Sequence, residues 1–253
     1  MNTSEKTGGI QSIERAVAIL TCFEHHKELG VTEISRQVGL HKSTAYTLIS
    51  TLASCGLLEH DAATGRYRLG LTLLRLGLRV DRSLRDVARP YLERLAEQYQ
   101  ETANLVVRES GNMVYIEKCE SPRAMRIATT CGQALPMYCT AAGKAILAHL
   151  PPELLALLLS QYQFVPYTDR TLQSEVQVRQ ALEEVRRLGY AVDDEELEYG
   201  RMCIGVPILD ARGEPLAALS VSIPKFRADS ATQAGIIRTL QVYAREIQGQ
   251  LSS

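Results

Sequence analysis

The sequence predicts an α+β protein in two parts. A small helical unit closed by a two-stranded ribbon comes first, and a larger α/β unit with a mainly antiparallel sheet follows. Three observations predict this. From Ser12 to Ser54 apolar residues recur at helical spacing, then give way to two short strand-like runs. Residues 72–100 read as a long helical connector. From Asn104 onward strand-like runs come in neighbouring pairs with amphipathic helices between them.

Residues 1–11 are polar and read as a flexible lead-in. Ile13, Ala16, Val17 and Leu20 then fall at i, i+3, i+4 and i+7, the spacing of one helix face. A short helix is expected from Thr32 to Val38, broken by Gly39-Leu40-His41, and another from Lys42 to about Ser54. Gly56 suits the left-handed position that ends such a helix. Leu57-Leu58-Glu59 and Arg66–Leu69 read as two short strands across a polar turn ending in Gly65. In the connector, Pro90 marks a helix start or kink.

In the second part, residues 104–109 and 113–118 read as a strand pair turning at Ser110-Gly111-Asn112, and residues 125–130 as a third strand. Helices are expected over 140–150, 151–162 and 174–189, the last capped by Ser174 and stopped by Gly189. Residues 203–210 and 216–223 read as a hairpin, and residues 230–251 as a closing helix.

Composition narrows the function classes. The chain has 253 residues, is 45% hydrophobic and 23% charged, and so has enough apolar mass for two packed domains. Its net charge of −1 excludes a protein that coats nucleic acid non-specifically. That value averages a mildly basic start, +2 over residues 1–80, and a mildly acidic remainder, −3. With no Trp and three Phe, stacking of bases on aromatic platforms is not its main activity. No apolar run approaches the ~20 residues needed to span a bilayer, and no signal peptide is visible, so a cytoplasmic protein with no membrane partner is expected. The six cysteines are scattered without metal-site spacing, so no metal and no cofactor is expected.

The helix from Lys42 carries the sharpest pattern. Ala45, Leu48, Ile49 and Leu52 line one face, while Ser43, Tyr46, Thr47 and Ser50 present hydrogen-bonding side chains on the other. Lys42, Ser43 and Thr44 sit at its N-terminus, where free amides attract phosphate. Two helices joined by a glycine turn, then a ribbon, make a winged helix-turn-helix, with Arg66 and Arg68 placed to grip the DNA backbone or minor groove. The bland alternative is a three-helix cap with a solvated Ser/Thr face. In the second part, Thr140 opens a helix on Ala141-Ala142-Gly143, small residues that either admit an anionic ligand to backbone amides or allow close helix packing. Ser220 and Ser222 alternate on one strand and share a face. Beyond Asp193, the run Asp194-Glu195-Glu196 reads as a solvated loop.

The runs IQSIERAVAILTCF and VTEISRQVGLHKSTAYTLISTLASCGLLEHDAATGRYRLG resemble the DNA-binding half of the IclR family of bacterial transcriptional regulators. The resemblance continues through LPMYCTAAGKAILAHLP, GYAVDDEELEYGRMCIGVPILD and LAALSVSIP, covering roughly Ile10 to Leu251. It implies a winged helix-turn-helix over 10–71, a linker helix region over 72–100 and a GAF/PAS-like effector-binding domain over 104–253. It implies a transcriptional regulator rather than an enzyme, acting on double-stranded operator DNA as a dimer or dimer of dimers. The family's pocket positions map onto Ala124, Ile127, Ala141, Ala142, Asp193, Arg201, Cys203, Ser220 and Ser222, a set suited to a small carboxylate. There are departures: His41 replaces a common Pro, Tyr46-Thr47 replaces a frequent His-Arg, and Ile223 interrupts a usual Ser-Gly-Pro. Arg201 stands where relatives often carry an aliphatic residue, which hints at an anionic effector or an ion pair with the acidic run. Two rival readings remain on the sequence: an enzyme with Cys203 as nucleophile, and a thiol redox sensor.

Overall fold

The computed structural model describes residues 10–24, 26–77 and 83–251. Most of the expected lead-in, the middle of the expected connector (78–82) and the last two residues lie outside them. The chain divides into two compact units, one up to Asp81 and one from Arg82.

The first unit holds α1 (Gln11–Thr21), a 3-10 turn at Cys22–Glu24, α2 (Val31–Gln37), α3 (Lys42–Ser54), the ribbon β1 (Leu58–Asp61) and β2 (Arg66–Leu69), and α4 (Leu71–Gly77). α1 starts at Gln11, inside the expected lead-in. Ile19, Phe23, Ile34, Ala45, Ile49, Leu52, Leu58 and Tyr67 close one apolar core. The face expected for α3 is the one that packs, but the face expected for α1 needs correction: Ala16 and Leu20 are partly buried, Ile13 and Val17 are exposed, and Ile19 is the residue α1 buries. The backbones of Leu29 and Tyr67 exchange hydrogen bonds of 3.0 and 2.9 Å, which ties the ribbon to the segment before α2. Gly56 ends α3 at φ 70°, a conformation that a Cβ would strain.

The second unit opens on α5 (Ser83–Tyr99). This helix runs through Pro90 rather than starting there. Pro90 and Asp86 are exposed, so the Asp86 carbonyl left without its helical donor can reach water. Six strands follow: β3 (Thr102–Glu109), β4 (Asn112–Cys119), β5 (Ala134–Pro136), β6 (Ala191–Asp194), β7 (Arg201–Leu209) and β8 (Pro215–Pro224). They form one antiparallel sheet in the order β5-β4-β3-β8-β7-β6. One face packs α5 and α9 (Ser230–Leu251) through Leu92, Leu95, Leu105, Ile204, Val221, Leu240 and Ile247. The other face packs α6 (Ala141–Leu147), α7 (Pro152–Gln161) and α8 (Glu175–Leu188) through Val106, Tyr115, Ile146, Leu182 and Ala218. Ser174 caps α8 by accepting from the Gln177 amide, as its sequence suggests.

Two strand expectations need correction. Residues 125–130 form no strand, and the third strand on that side is β5, paired with Asn112–Val114. The loop's carbonyls are taken by side chains instead: Thr102 Oγ1 donates to Ile127 O, Lys118 Nζ to Thr129 O and Arg227 Nη2 to Met125 O. At the opposite edge, β6 includes Asp193 and Asp194, two residues of the acidic run. No helix among the described residues is long and apolar enough to cross a membrane.

Candidate functional site

In the first unit the apolar face of α3 is buried and its polar face is open. Ala45 and Ile49 are fully buried, whereas Lys42, Ser43, Thr44, Tyr46, Thr47 and Ser50 are all exposed. Some of these hydroxyls also hold the helix: Thr47 Oγ1 donates to Ser43 O at 3.1 Å, and Ser43 Oγ meets His41 Nδ1 at 3.0 Å. They keep their acceptor lone pairs and, for Ser50 and Tyr46, free groups of base-edge reach. Shallow grooves flank Ser43 on both sides, one lined by Ser12, Arg15, Thr44 and Thr47, the other by Val31, Thr32, Lys42 and Tyr46. Arg15 and Thr32 therefore border the face as well. Sequence reading missed both, although Arg15 is a lone cation beside an apolar stripe.

The ribbon arginines are placed differently from the expectation that they reach outward to DNA. Arg66 Nη2 donates to Glu33 Oε2 at 2.8 Å and to the Glu28 carbonyl at 3.2 Å. Glu33 Oε2 also accepts the Gly30 amide at the start of α2, and these two donors hold its carboxyl below the usual range. Arg68 makes a two-pronged contact with Glu59 at 3.1 and 2.9 Å. Both guanidinium groups are engaged within the domain.

In the second unit, strand alternation assembles a buried polar row on the sheet face toward α6. Leu219, Val221 and Ile223 point to the α5/α9 core, so Ser220 and Ser222 point the other way. Across the ladder, Ser222 lies opposite both Thr102 and Cys203, and Cys203 lies opposite Asp193. The row is connected: Thr129 Oγ1 donates to Asn104 Oδ1 at 2.7 Å, and Asn104 Nδ2 donates to Ser222 Oγ at 3.2 Å. Ser222 Oγ also accepts from Cys203 Sγ at 3.3 Å. Arg201 donates from Nε to Cys203 Sγ and from Nη2 to Tyr115 OH, both at 3.1 Å. Burial pushes the Tyr115 phenol up to about 12 and raises the Cys203 thiol, so Arg201, 6% exposed, touches neutral partners.

Beside the row lies a second charge cluster. Lys144 of α6 pairs with Glu196, both buried, and the Glu196 amide donates to Asp193 Oδ1 at 2.8 Å. Asp193 Oδ2 and Glu196 Oε2 are buried without a hydrogen-bond partner. Burial pushes the Glu196 carboxyl up to about 7, against the pull of Lys144, and raises Asp193 against the pull of Arg201 and Lys144. The solvated-loop reading of this run therefore needs correction at Glu196. The Thr168–Thr171 turn fixes this segment, since both threonine hydroxyls donate to the Glu196 backbone carbonyl.

The other expected pocket residues are less central. Ala141 and Ala142 are buried, and a Cβ at Gly205 would lie 2.7 Å from the Ala142 nitrogen. The small residues thus let α6 lie directly on β7, which favours the packing alternative for that motif. Ala124 is exposed and Ile127 half-buried, both on the 121–130 loop. Asn104, Tyr115, Thr129 and Lys144 join the site without having been singled out. A lone Lys in an otherwise apolar helix and a polar Asn at period two within an apolar strand were the available signals. Among the described residues Cys203 bonds only Arg201 and Ser222, neither a base, and His149 Nδ1 faces the Ala145 carbonyl at 3.0 Å in a separate groove with Val206 and Gln241. A raised thiol without a base leaves no support for Cys203 as nucleophile.

The comparisons agree with this architecture. The profile of the IclR helix-turn-helix domain matches residues 12–62, and that of the bacterial transcriptional regulator IclR C-terminal domain matches residues 79–249. The HTH-type transcriptional regulator XynR of Escherichia coli K12 is 38% identical over 92% of this chain and 93% of its own. The transcriptional repressor IclR of the same organism is 32% identical over 92% of this chain and 88% of its own. Among solved structures, an IclR transcriptional regulator from Alicyclobacillus acidocaldarius superposes with a TM-score of 0.87 at 26% identity, covering 97% of this chain and 100% of that one. An IclR homologue from Microbacterium hydrocarbonoxydans, complexed with 4-hydroxybenzoate, superposes with a TM-score of 0.83 at 28% identity, covering 95% and 98%. With a helix-turn-helix that exposes a polar recognition face, and with relatives that are transcriptional regulators along nearly their whole length, this chain belongs to the IclR family of bacterial transcriptional regulators, proteins that bind DNA and are not enzymes.

Proposed function

We propose that the chain is a cytoplasmic, effector-responsive regulator in which residues 10–71 read operator DNA, 72–100 link, and 104–253 bind a small organic acid. Lys42, Ser43 and Thr44 hold phosphate at the N-terminus of α3, while Tyr46, Thr47 and Ser50 face base edges. Arg66 fixes the ribbon to α2. Two copies bind together, since one short recognition helix makes too few contacts for operator specificity. The observation that carries the effector reading is Arg201, a buried guanidinium whose contacts are neutral, on the same sheet face as Ser220 and Ser222. Such a group favours an anion, and the bidentate fork suits a carboxylate. Asp193, Cys203, Ala124, Ile127, Ala141 and Ala142 complete the surroundings of the bound acid. The relative crystallised with 4-hydroxybenzoate supports the ligand class.

The test is a thermal-shift screen of small carboxylates, 4-hydroxybenzoate included, on the full chain, paired with fluorescence anisotropy on DNA from upstream of its own coding region. The reading expects at least one acid that raises the unfolding temperature and changes DNA affinity, both effects being lost in Arg201→Ala. A hit that survives Arg201→Ala would move the site elsewhere, and salt-insensitive or absent DNA binding would end the regulator reading.

A further inference from the structure

The 121–130 loop sits between the polar row and the end of α5, and side-chain hydrogen bonds hold it near both ends. On the row side, Thr129 Oγ1 bonds Asn104, which bonds Ser222. On the α5 side, Ser121 Oγ donates to the Gln100 carbonyl at 2.7 Å, and its amide donates to Thr102 Oγ1 at 3.2 Å. Arg227, in the 3-10 turn after β8, donates from Nε and Nη2 to the two oxygens of Glu101 at 2.6 and 2.9 Å. The same Nη2 donates to Met125 O at 3.0 Å, and Arg123 approaches Glu101 at 3.6 Å. Glu101 is only 2% exposed and stands two residues beyond the last residue of α5. Between them, Gln100 is a non-glycine residue at φ 57°, a strained backbone held by its own amide bond to Ala96 O and by Ser121.

We propose that Arg227, Glu101 and Ser121 form a joint that couples the 121–130 loop to the C-terminal end of α5, with Gln100 as its strained pivot. α5 is the helix through which the chain passes from the reader to the sensor, so a loop that shifts when the polar row is occupied alters how this helix end is held. Coupling of this kind needs an element with two arrangements that both sites bias. Gln100, which the loop holds through Ser121 while Arg227 holds the neighbouring Glu101, is proposed as such an element. Arg227 and Glu101 are positioning residues: they touch no effector and act through the loop. The regulatory meaning of the joint rests on the effector reading above, but the coupling itself does not.

Hydrogen–deuterium exchange on the full chain tests the coupling without an effector. Two stretches are read, 119–129 and 94–101, with α8 and α9 as internal references. Arg227→Ala is expected to speed exchange in both stretches roughly tenfold while leaving the references unchanged. Thr129→Val, which loosens the far end of the loop, is expected to speed exchange at 94–101 as well. In the Arg227→Ala background it adds nothing there, because the joint is already open. If Arg227→Ala does not fold, Arg227→Lys keeps the charge, loses the two-pronged grip and the Met125 contact, and is expected to show the same pattern more weakly. Faster exchange in the loop alone, or additive effects of the two substitutions at 94–101, would overturn the proposal. Coupled exchange together with no carboxylate response in the DNA assay would leave the joint standing and remove the effector reading.

Discussion

Glu196 makes a quantitative prediction about pH. Its carboxyl titrates near 7 in the folded protein against an ordinary value near 4.5, chiefly because burial penalises the charge. Between those two pH values the folded state holds a proton that the unfolded state has released. Stability is therefore intact below about 4.5, declines as pH rises through 7, and is flat above. A gap of about 2.5 pH units, at about 1.4 kcal/mol per unit, amounts to about 3.5 kcal/mol for this group, with Asp193 adding in the same direction. The perturbation is Glu196→Gln, which keeps an acceptor for Lys144 and cannot titrate. Urea unfolding followed by circular dichroism at pH 5, 6, 7 and 8 gives two curves. Their difference is expected to change by about 2.5 kcal/mol in favour of the variant from pH 5 to pH 8, the rest of the gap falling below pH 5. Parallel curves would refute the assignment of this slope to a buried Glu196.

Other predictions concern the reader and the sheet. Lys42→Ala is expected to weaken DNA binding uniformly across sequences and lower the salt slope by about one, whereas Arg66→Ala leaves that slope unchanged, both read by anisotropy at several salt concentrations. Ile49→Ala removes a fully buried side chain from the reader core and is expected to cost about 3 kcal/mol, seen as an earlier unfolding transition with loss of DNA binding. Gly205→Ala places a methyl 2.7 Å from the Ala142 nitrogen, where backbone on both sides cannot yield, and is expected to cost about 2 kcal/mol in a thermal melt.

Where the sequence was informative, one physical period decided the outcome. α3 begins at Lys42 and ends at Ser54 as expected, because a 3.6-residue apolar stripe has one helical solution and Gly56 ends it. The Ser220/Ser222 alternation likewise survives, because period two places both on one face. Residues 125–130 misled because Met, Ile and Thr suit a strand, but side chains from three other segments claim the carbonyls that a ladder would need. β6 and the burial of Glu196 were illegible for the opposite reason. A short acidic run looks solvated unless its partner is known, and Lys144 lies 52 residues away. The engagement of Arg66 by Glu33, 33 residues apart, is equally a matter of tertiary placement.

The paired arginines of the ribbon bear on how such a protein finds its site. Random stretches of DNA hold a protein mainly through unneutralised cations, and here Arg66 and Arg68 already face carboxylates. Among the described residues the reader's cations without an acidic partner include Arg15, Lys27, Arg36 and Lys42, a modest set. Encounters with the wrong sequence should consequently be brief, and sliding along DNA short. On the proposed reading of α3, such a regulator would sample a genome by many quick landings, and its dwell time would be set by what that helix meets in the groove.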